Sequence, residues 1–248
     1  VGFKPSYGRI ASDGLIHCAI SLDTIGFFMR DVAGIAFVAS LLCNDWRPTT
    51  SNNMPVLGIP VGPYLAQASA EGRAAFEKHV TLLEKAGYDV RRVEAMRDID
   101  AINLRHRHIL SAEMAQVHAA WFAQYESLYR PRTAALIRQG QEMSAEELAA
   151  ARAGRTALRS ELEDLMAQHG IDLWISPAAP GAAPEGISTT GDPAMNLPWT
   201  HAGLPAIALP AGRATNGLPL ALQIAGAFMA DEQLVSWAGP LADALALA

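Results

Sequence analysis

Groups able to serve as general bases are scarce in this 248-residue chain: the lysines are Lys4, Lys78 and Lys85, and there are seven histidines. A serine hydroxyl becomes a nucleophile only when a base removes its proton, and a lysine is such a base only where burial or neighbours keep it neutral. Lys4 precedes a proline and reads as a turn residue, while Lys78 and Lys85 fall on the polar side of an amphipathic helix and read as solvated charge. His106 and His108 stand at i, i+2 on a helix and point to different sides. No carboxylate completes the HExxH spacing of a zinc helix, so they read as surface or packing histidines and no metal site is expected. The chain has no Gly-x-Ser-x-Gly elbow and no GxGxxG after a strand, which leaves an α/β-hydrolase or a dinucleotide enzyme without support. Arg9, Ser21 and Asp23 suit turn and cap hydrogen bonds and the anchoring of a buried carbonyl or carboxylate, a structural role.

The segment that invites a binding role is DPAMNLPWT, Asp192 to Thr200. It ends a Pro- and Gly-rich loop running from Pro177 to Pro193, and loops of that length inside a domain are often functional. Asp192 brings a carboxylate, and Met195 and Trp199 bring large apolar surfaces that could face a ligand or fill the gap between loop and sheet. Trp121, Phe122, Tyr125 and Tyr129 recur at helical spacings of three and four, which core packing alone explains.

Composition bounds what these residues can serve. With 50% hydrophobic and 18% charged residues, a chain of this size buries roughly 70 to 75% of its unfolded surface, enough for one substantial core. A net charge of −6 and the lack of any basic stripe argue against a nucleic-acid partner. Cys18 and Cys43 lack CxxC spacing, and no secretory apolar segment opens the chain, so a cytoplasmic protein is expected. The most apolar stretch, VAGIAFVASLLC from Val32 to Cys43, falls short of the roughly 18 residues a membrane span needs.

The elements that would position a site alternate strand and helix. Asp31 caps a helix over Val32–Leu42, and VLGIPV, Val56 to Val61, reads as a strand buried on both faces. A helix from about 66 to 86 carries Phe76, Val80 and Leu83 on one stripe and ends at Gly87. A weak strand, Tyr88 to Val93, completes a strand-helix-strand unit and predicts parallel pairing. The middle is helical from about 99 to 169, first without a proline from Ile99 to Tyr129, then from a capping box at Ser144 and Glu147 to Gln168, closed by Gly170. IDLWIS (Ile171 to Ser176), AIALP near Ile207 and LALQIA (Leu220 to Ala225) return to the sheet, and a helix follows Asp231. No repeat or low-complexity segment is evident.

Two quoted segments carry a resemblance. GFKPSYGRIASDGLIHCAISLDTIG, Gly2 to Gly26, resembles the segment that follows the catalytic loop of the amidase signature family. DLWISPAAP, Asp172 to Pro180, with AGLPAIALPAG and GLPLALQIAG, Ala202 to Gly226, resembles that family's C-terminal landmarks in the right order. Ser6 in place of Thr, Phe27 in place of Pro, and Trp199-Thr200-His201 depart from the usual pattern. The resemblance implies an α/β fold with a mixed β-sheet covered by helices on both faces. The whole of 1–248 would be the C-terminal part of a single such domain, with the helical segment inserted between sheet-forming regions. It further implies hydrolysis of a small carboxylic amide through a Ser, a cis-Ser and a Lys, with all three upstream of Val1, so that this chain contains no catalytic residue and is inactive alone. Asp192, Met195 and Trp199 are then the expected substrate contacts. The implied partners are the amide substrate and the N-terminal half of the same protein, with no cofactor, no membrane and a homodimer left open. A glutaminase-type amidotransferase subunit, or a non-catalytic relative acting with a partner chain, is the alternative.

Overall fold

In LWISP and LALQIA successive side chains point to opposite sides, and that alternation sorts the interior into two layers. The structure is a computed structural model, and it describes residues 1–246. Its strands are β1 (Gly2–Lys4), β2 (Phe27–Phe28), β3 (Leu57–Val61), β4 (Val90–Glu94), β5 (Leu173–Pro177), β6 (Ala206–Arg213) and β7 (Pro219–Ala225), joined in one sheet in the order β2-β1-β6-β7-β5-β3-β4. The sheet is mixed. β3 runs parallel to β4 and β5, as the strand-helix-strand pattern predicts, whereas β5 pairs antiparallel with β7, β7 with β6, β6 with β1 and β1 with β2.

The helices are α1 (Val32–Leu42), α2 (Pro63–Ala66), α3 (Ala70–Lys85), α4 (Ile99–Val117), α5 (Ala119–Tyr125), α6 (Pro131–Gln141), α7 (Ala145–His169), α8 (Leu197–Ala202) and α9 (Asp231–Ala246). One face of the sheet presents Phe3, Ile175, Ile207, Leu222 and Ile224 to α1, α3 and α9 in a dry core. The other face presents Trp174, Ala206 and Ala225 to α2, α4, α7 and α8, where Ile102, Leu162 and Trp199 pack. Helices thus cover both faces, as expected. Among the described residues no helix is long and apolar enough to cross a membrane.

Local signals set most boundaries. Asp31 accepts the Gly34 N–H and opens α1. The Ser144–Glu147 capping box opens α7, and Gly170, in the left-handed region at φ 56°, closes it. Three expectations are corrected. Lys4 lies in β1, half-buried, because the residue before a proline is driven to extended backbone as readily as into a turn. The helix expected from about 66 starts at Ala70, capped by the Ser69 hydroxyl, with α2 a separate turn begun by Pro63. The helix from Ile99 breaks at His118 and stops at Tyr125, where the His118 ring takes a 2.8 Å hydrogen bond with the Tyr129 hydroxyl and folds the segment back. There Phe122 is buried but Trp121 and Tyr125 are exposed, so packing accounts for only part of the aromatic group.

Glu113 ties this helical layer to the first thirty residues. Its carboxylate, 1% exposed, accepts from the Ser21 N–H at 2.8 Å, from the Ser21 hydroxyl at 2.7 Å and from Arg152 Nε at 2.7 Å. Ser21 therefore satisfies a buried charge.

Candidate functional site

The pairing register brings Gly2, Ala208, Gln223 and Ser176 into one row across β1, β6, β7 and β5 on the α8 side of the sheet. The next row on that face is Lys4, Ala206, Ala225 and Trp174. Because Gly2 and Ala208 carry almost no side chain, the row sinks beside Gln223 and leaves a cleft of about 420 Å³. Lys4, Ala178, Asn196, Thr200 and Gln223 are among its walls.

Behind that cleft lies a closed polar network. Trp199 Nε1 donates to the Tyr64 hydroxyl at 2.9 Å, and Tyr64 donates to the Met195 carbonyl at 2.8 Å. Gln223 Nε2 spends its two hydrogens on Ser176 Oγ at 3.0 Å and on the same Met195 carbonyl at 2.9 Å. Ser176 in turn contacts Tyr64 Oη at 3.0 Å and the Pro177 carbonyl at 3.3 Å. The Tyr64 and Trp199 rings meet edge to face at 5.7 Å and 88°. Burial pushes the Tyr64 phenol far up, against the hydrogen bonds from Ser176, Trp199 and Gln223, so it stays a proton donor at every physiological pH. No titratable base reaches Ser176, and a hydroxyl that only relays hydrogen bonds between neutral partners is not an activated nucleophile.

Lys4 is the cation nearest this wall in sequence register. Its ammonium donates to the Leu204 carbonyl and, at 3.3 Å, to the Pro5 carbonyl. Burial pushes its pKa down to about 8, opposed by the charge of Asp231. Both of its protein partners are carbonyls, so it has no hydroxyl to deprotonate among the described residues. Lys78 and Lys85 are exposed on α3. Arg9 binds the Glu232 carboxylate and approaches Asp231, and Asp23 accepts from Cys18 N and Ala19 N and pairs with the His17 ring. Among the described residues no group of three or more His, Cys, Asp or Glu could hold a metal.

The three residues singled out in DPAMNLPWT separate in space. Met195 and Trp199 are 0% and 1% exposed, and it is the Met195 carbonyl and the Trp199 indole N–H that hold the network. Asp192 is exposed, accepts the Ala194 N–H at 2.9 Å, and lines two other clefts, of about 520 and 410 Å³. His106 and His201 pack ring against ring at 5.8 Å under α8. Sequence reasoning missed Tyr64, Ser176 and Gln223. The signal to be found was a lone amide in the apolar run LALQIA and a lone hydroxyl in LWISP, each of which has to find a partner if buried.

Comparison with known proteins adds a second line of observation. The family model described as Amidase matches residues 1–235. A glutamyl-tRNA(Gln) amidotransferase subunit from Bartonella tribocorum is 28% identical over 281 residues, which cover 94% of this chain and 56% of that protein. Its mitochondrial counterpart from Schizosaccharomyces pombe is 25% identical over 298 residues, covering 98% and 63%. A solved structure described as a crystal structure of amidase superposes with a TM-score of 0.89 at 26% identity, over 98% of this chain and 58% of that one. The chain therefore spans little more than half the length of relatives it matches.

Proposed function

The chain belongs to the amidase family, and from that premise we propose that it forms the sheet and one wall of an active site that cleaves a carboxylic amide. The whole of 1–248 is then part of a single domain. The attacking serine, the second serine and the lysine come from the N-terminal part of the same protein, and this chain on its own does not turn over. The observation that carries the reading is the match over residues 1–235 together with a cleft on whose wall Gln223 is held by the buried Ser176–Tyr64–Trp199 network, while the one lysine lining it, Lys4, is spent on two backbone carbonyls. Such a wall orients a polar substrate and excludes side reactions; it does not break a bond.

Asp192, Met195 and Trp199 are assigned to substrate handling in different ways. Asp192 stands on the loop with a carboxylate open to a ligand, whereas Met195 and Trp199 act through the Tyr64–Gln223 network that they lock. Support for a covering polypeptide comes from α1, whose outer residues Phe37 and Leu41 are 64% and 68% exposed, and from Phe28 on β2 at 86%. A helix apolar on every side is normally buried, and exposed apolar faces of this kind mark a docking surface.

A second reading, a glutaminase-type amidotransferase component, is favoured by the names of the curated relatives. Both readings share the cleavage of an amide and differ in what receives the nitrogen. The full-length gene product, offered a panel of primary and N-substituted amides and a fluorophosphonate probe, is expected to release ammonia or amine and to be labelled on a serine outside this chain. A product that cleaves no amide and takes no label refutes the proposal. Ammonia release from glutamine that appears only with a partner chain selects the second reading.

A further inference from the structure

The larger cleft, about 520 Å³, shares Ala178 with the one lined by Gln223, and its volume falls in the range of small-molecule sites. Its walls are apolar: Ala75 and Phe76 from α3, the loop from Ala178 to Pro184, and Leu220 from β7. No lysine or arginine lines it, and the polar side chains on it are His79, Thr190 and Asp192.

The wall is preformed. Ser69 N donates to the Pro180 carbonyl at 2.7 Å, and a Cβ on Gly72 would stand 2.3 Å from that same oxygen. A Cβ on Gly181 would stand 2.8 Å from Ser69 Oγ. Backbone meets backbone here at a distance no side chain tolerates, so the loop is clamped onto the first turn of α3.

His79 is 8% exposed and its Nδ1 has no partner. The neutral tautomer with its proton on Nε2 leaves the unpartnered Nδ1 free to accept. Burial, aided by the charge of Lys78, lowers the histidine's pKa and keeps the ring neutral at physiological pH. A buried ring nitrogen without a partner is unfavourable unless a ligand or water supplies one. Asp192, with one carboxylate oxygen on the Ala194 N–H, adds negative charge at the same cleft. An apolar pocket whose polar groups accept hydrogen bonds and carry negative charge is complementary to an apolar molecule bearing N–H donors.

We propose that this cleft binds a hydrophobic amine, the part that an N-substituted amide releases on cleavage, with its apolar body against Ala75, Phe76 and Leu220 and its N–H groups toward His79 Nδ1 and the Asp192 carboxylate. In that hydrolysis the C–N bond breaks, water supplies a hydroxyl to the acyl carbon and a proton to nitrogen, and the amine leaves. The inference rests on the amide-cleaving reading and narrows it to amides whose nitrogen carries more than hydrogen.

The test uses the full-length protein and benzylamine as the probe, with binding read by isothermal titration calorimetry and cleavage read on a primary amide and its N-benzyl counterpart sharing one acyl group. Benzylamine is expected to bind, and Ala75→Trp, at a half-buried position on the cleft wall, is expected to weaken it at least tenfold. Leu220→Trp, from the facing wall, should do the same, and His79→Phe should cost about fivefold through the lost acceptor. The preference for the N-benzyl amide over the primary amide should shrink in the tryptophan variants. Unchanged benzylamine affinity in both tryptophan variants, each with a parental circular dichroism spectrum, overturns the site. A protein that cleaves primary amides yet binds no benzylamine also overturns it and leaves the amide reading standing. Benzylamine binding that the tryptophan variants abolish, in a protein that cleaves no amide, keeps the cleft and removes the reaction.

Discussion

His106 and His201 resist protonation when the pH is lowered from 7 to 5. His201 is 0% exposed with both ring nitrogens unpartnered, and burial, then His106, Arg155 and Arg105, push its pKa down to about 3. His106 is pushed down to about 4 by burial and by Arg155 and Arg107. In the unfolded chain both return to the ordinary value near 6.5, so between 6.5 and the folded values the unfolded state binds more protons. Stability must then rise with pH and be lost as pH falls below about 6.5. Linkage from these values gives about 2 kcal/mol per histidine between pH 7 and pH 5, about 4 kcal/mol for the pair. Urea unfolding of the chain and of His201→Phe at both pH values measures this. The variant should lose about 2 kcal/mol less on acidification, which at a slope of about 3 kcal/mol/M separates the two midpoint shifts by roughly 0.7 M. At pH 7 the phenyl ring, free of unpartnered nitrogens, should leave stability equal or higher. An acid-induced loss identical in the two proteins refutes the neutral burial of His201.

Two further outcomes follow from the site and the loop. Tyr64→Phe removes the hydroxyl that receives the Trp199 N–H and serves Met195, and should cost about 2 to 3 kcal/mol in urea unfolding; a loss below about 0.5 kcal/mol would mean the network contributes nothing. Gly72→Ala puts a methyl group 2.3 Å from the Pro180 oxygen and should free the 180–190 loop, read as faster proteolytic nicking there and about 1 to 3 kcal/mol of destabilisation; an unchanged digestion pattern contradicts the clamp.

Much of the architecture was legible because it is written in local chemistry. Asp31, Ser144 with Glu147, and Gly170 mark helix ends by hydrogen bonds their own side chains or backbone make within a few residues. β3 announces itself by an apolar run, and β4 only weakly, by its place after an amphipathic helix. β1 and β2 do not: three and two residues long, β1 exists because β6 offers a partner some two hundred positions away, and β2 because β1 offers it one. The site was half legible for the same reason. DPAMNLPWT stands out in composition, yet what Met195 and Trp199 do depends on Tyr64, Ser176 and Gln223, which no sequence spacing connects to them. Lys4 shows the limit most plainly, since its partners are a neighbouring carbonyl and the distant one of Leu204.

The carboxylate of Glu113 has a mechanical consequence. It sits on α4 and is gripped at once by Ser21, in the segment before α1, and by Arg152 on α7. Neither grip can slip without stranding a negative charge away from water, so α4, α7 and the chain's opening segment are latched into one rigid unit. Thermal or chemical unfolding should release them in a single step, and the helical layer should not swing open as a lid over the sheet.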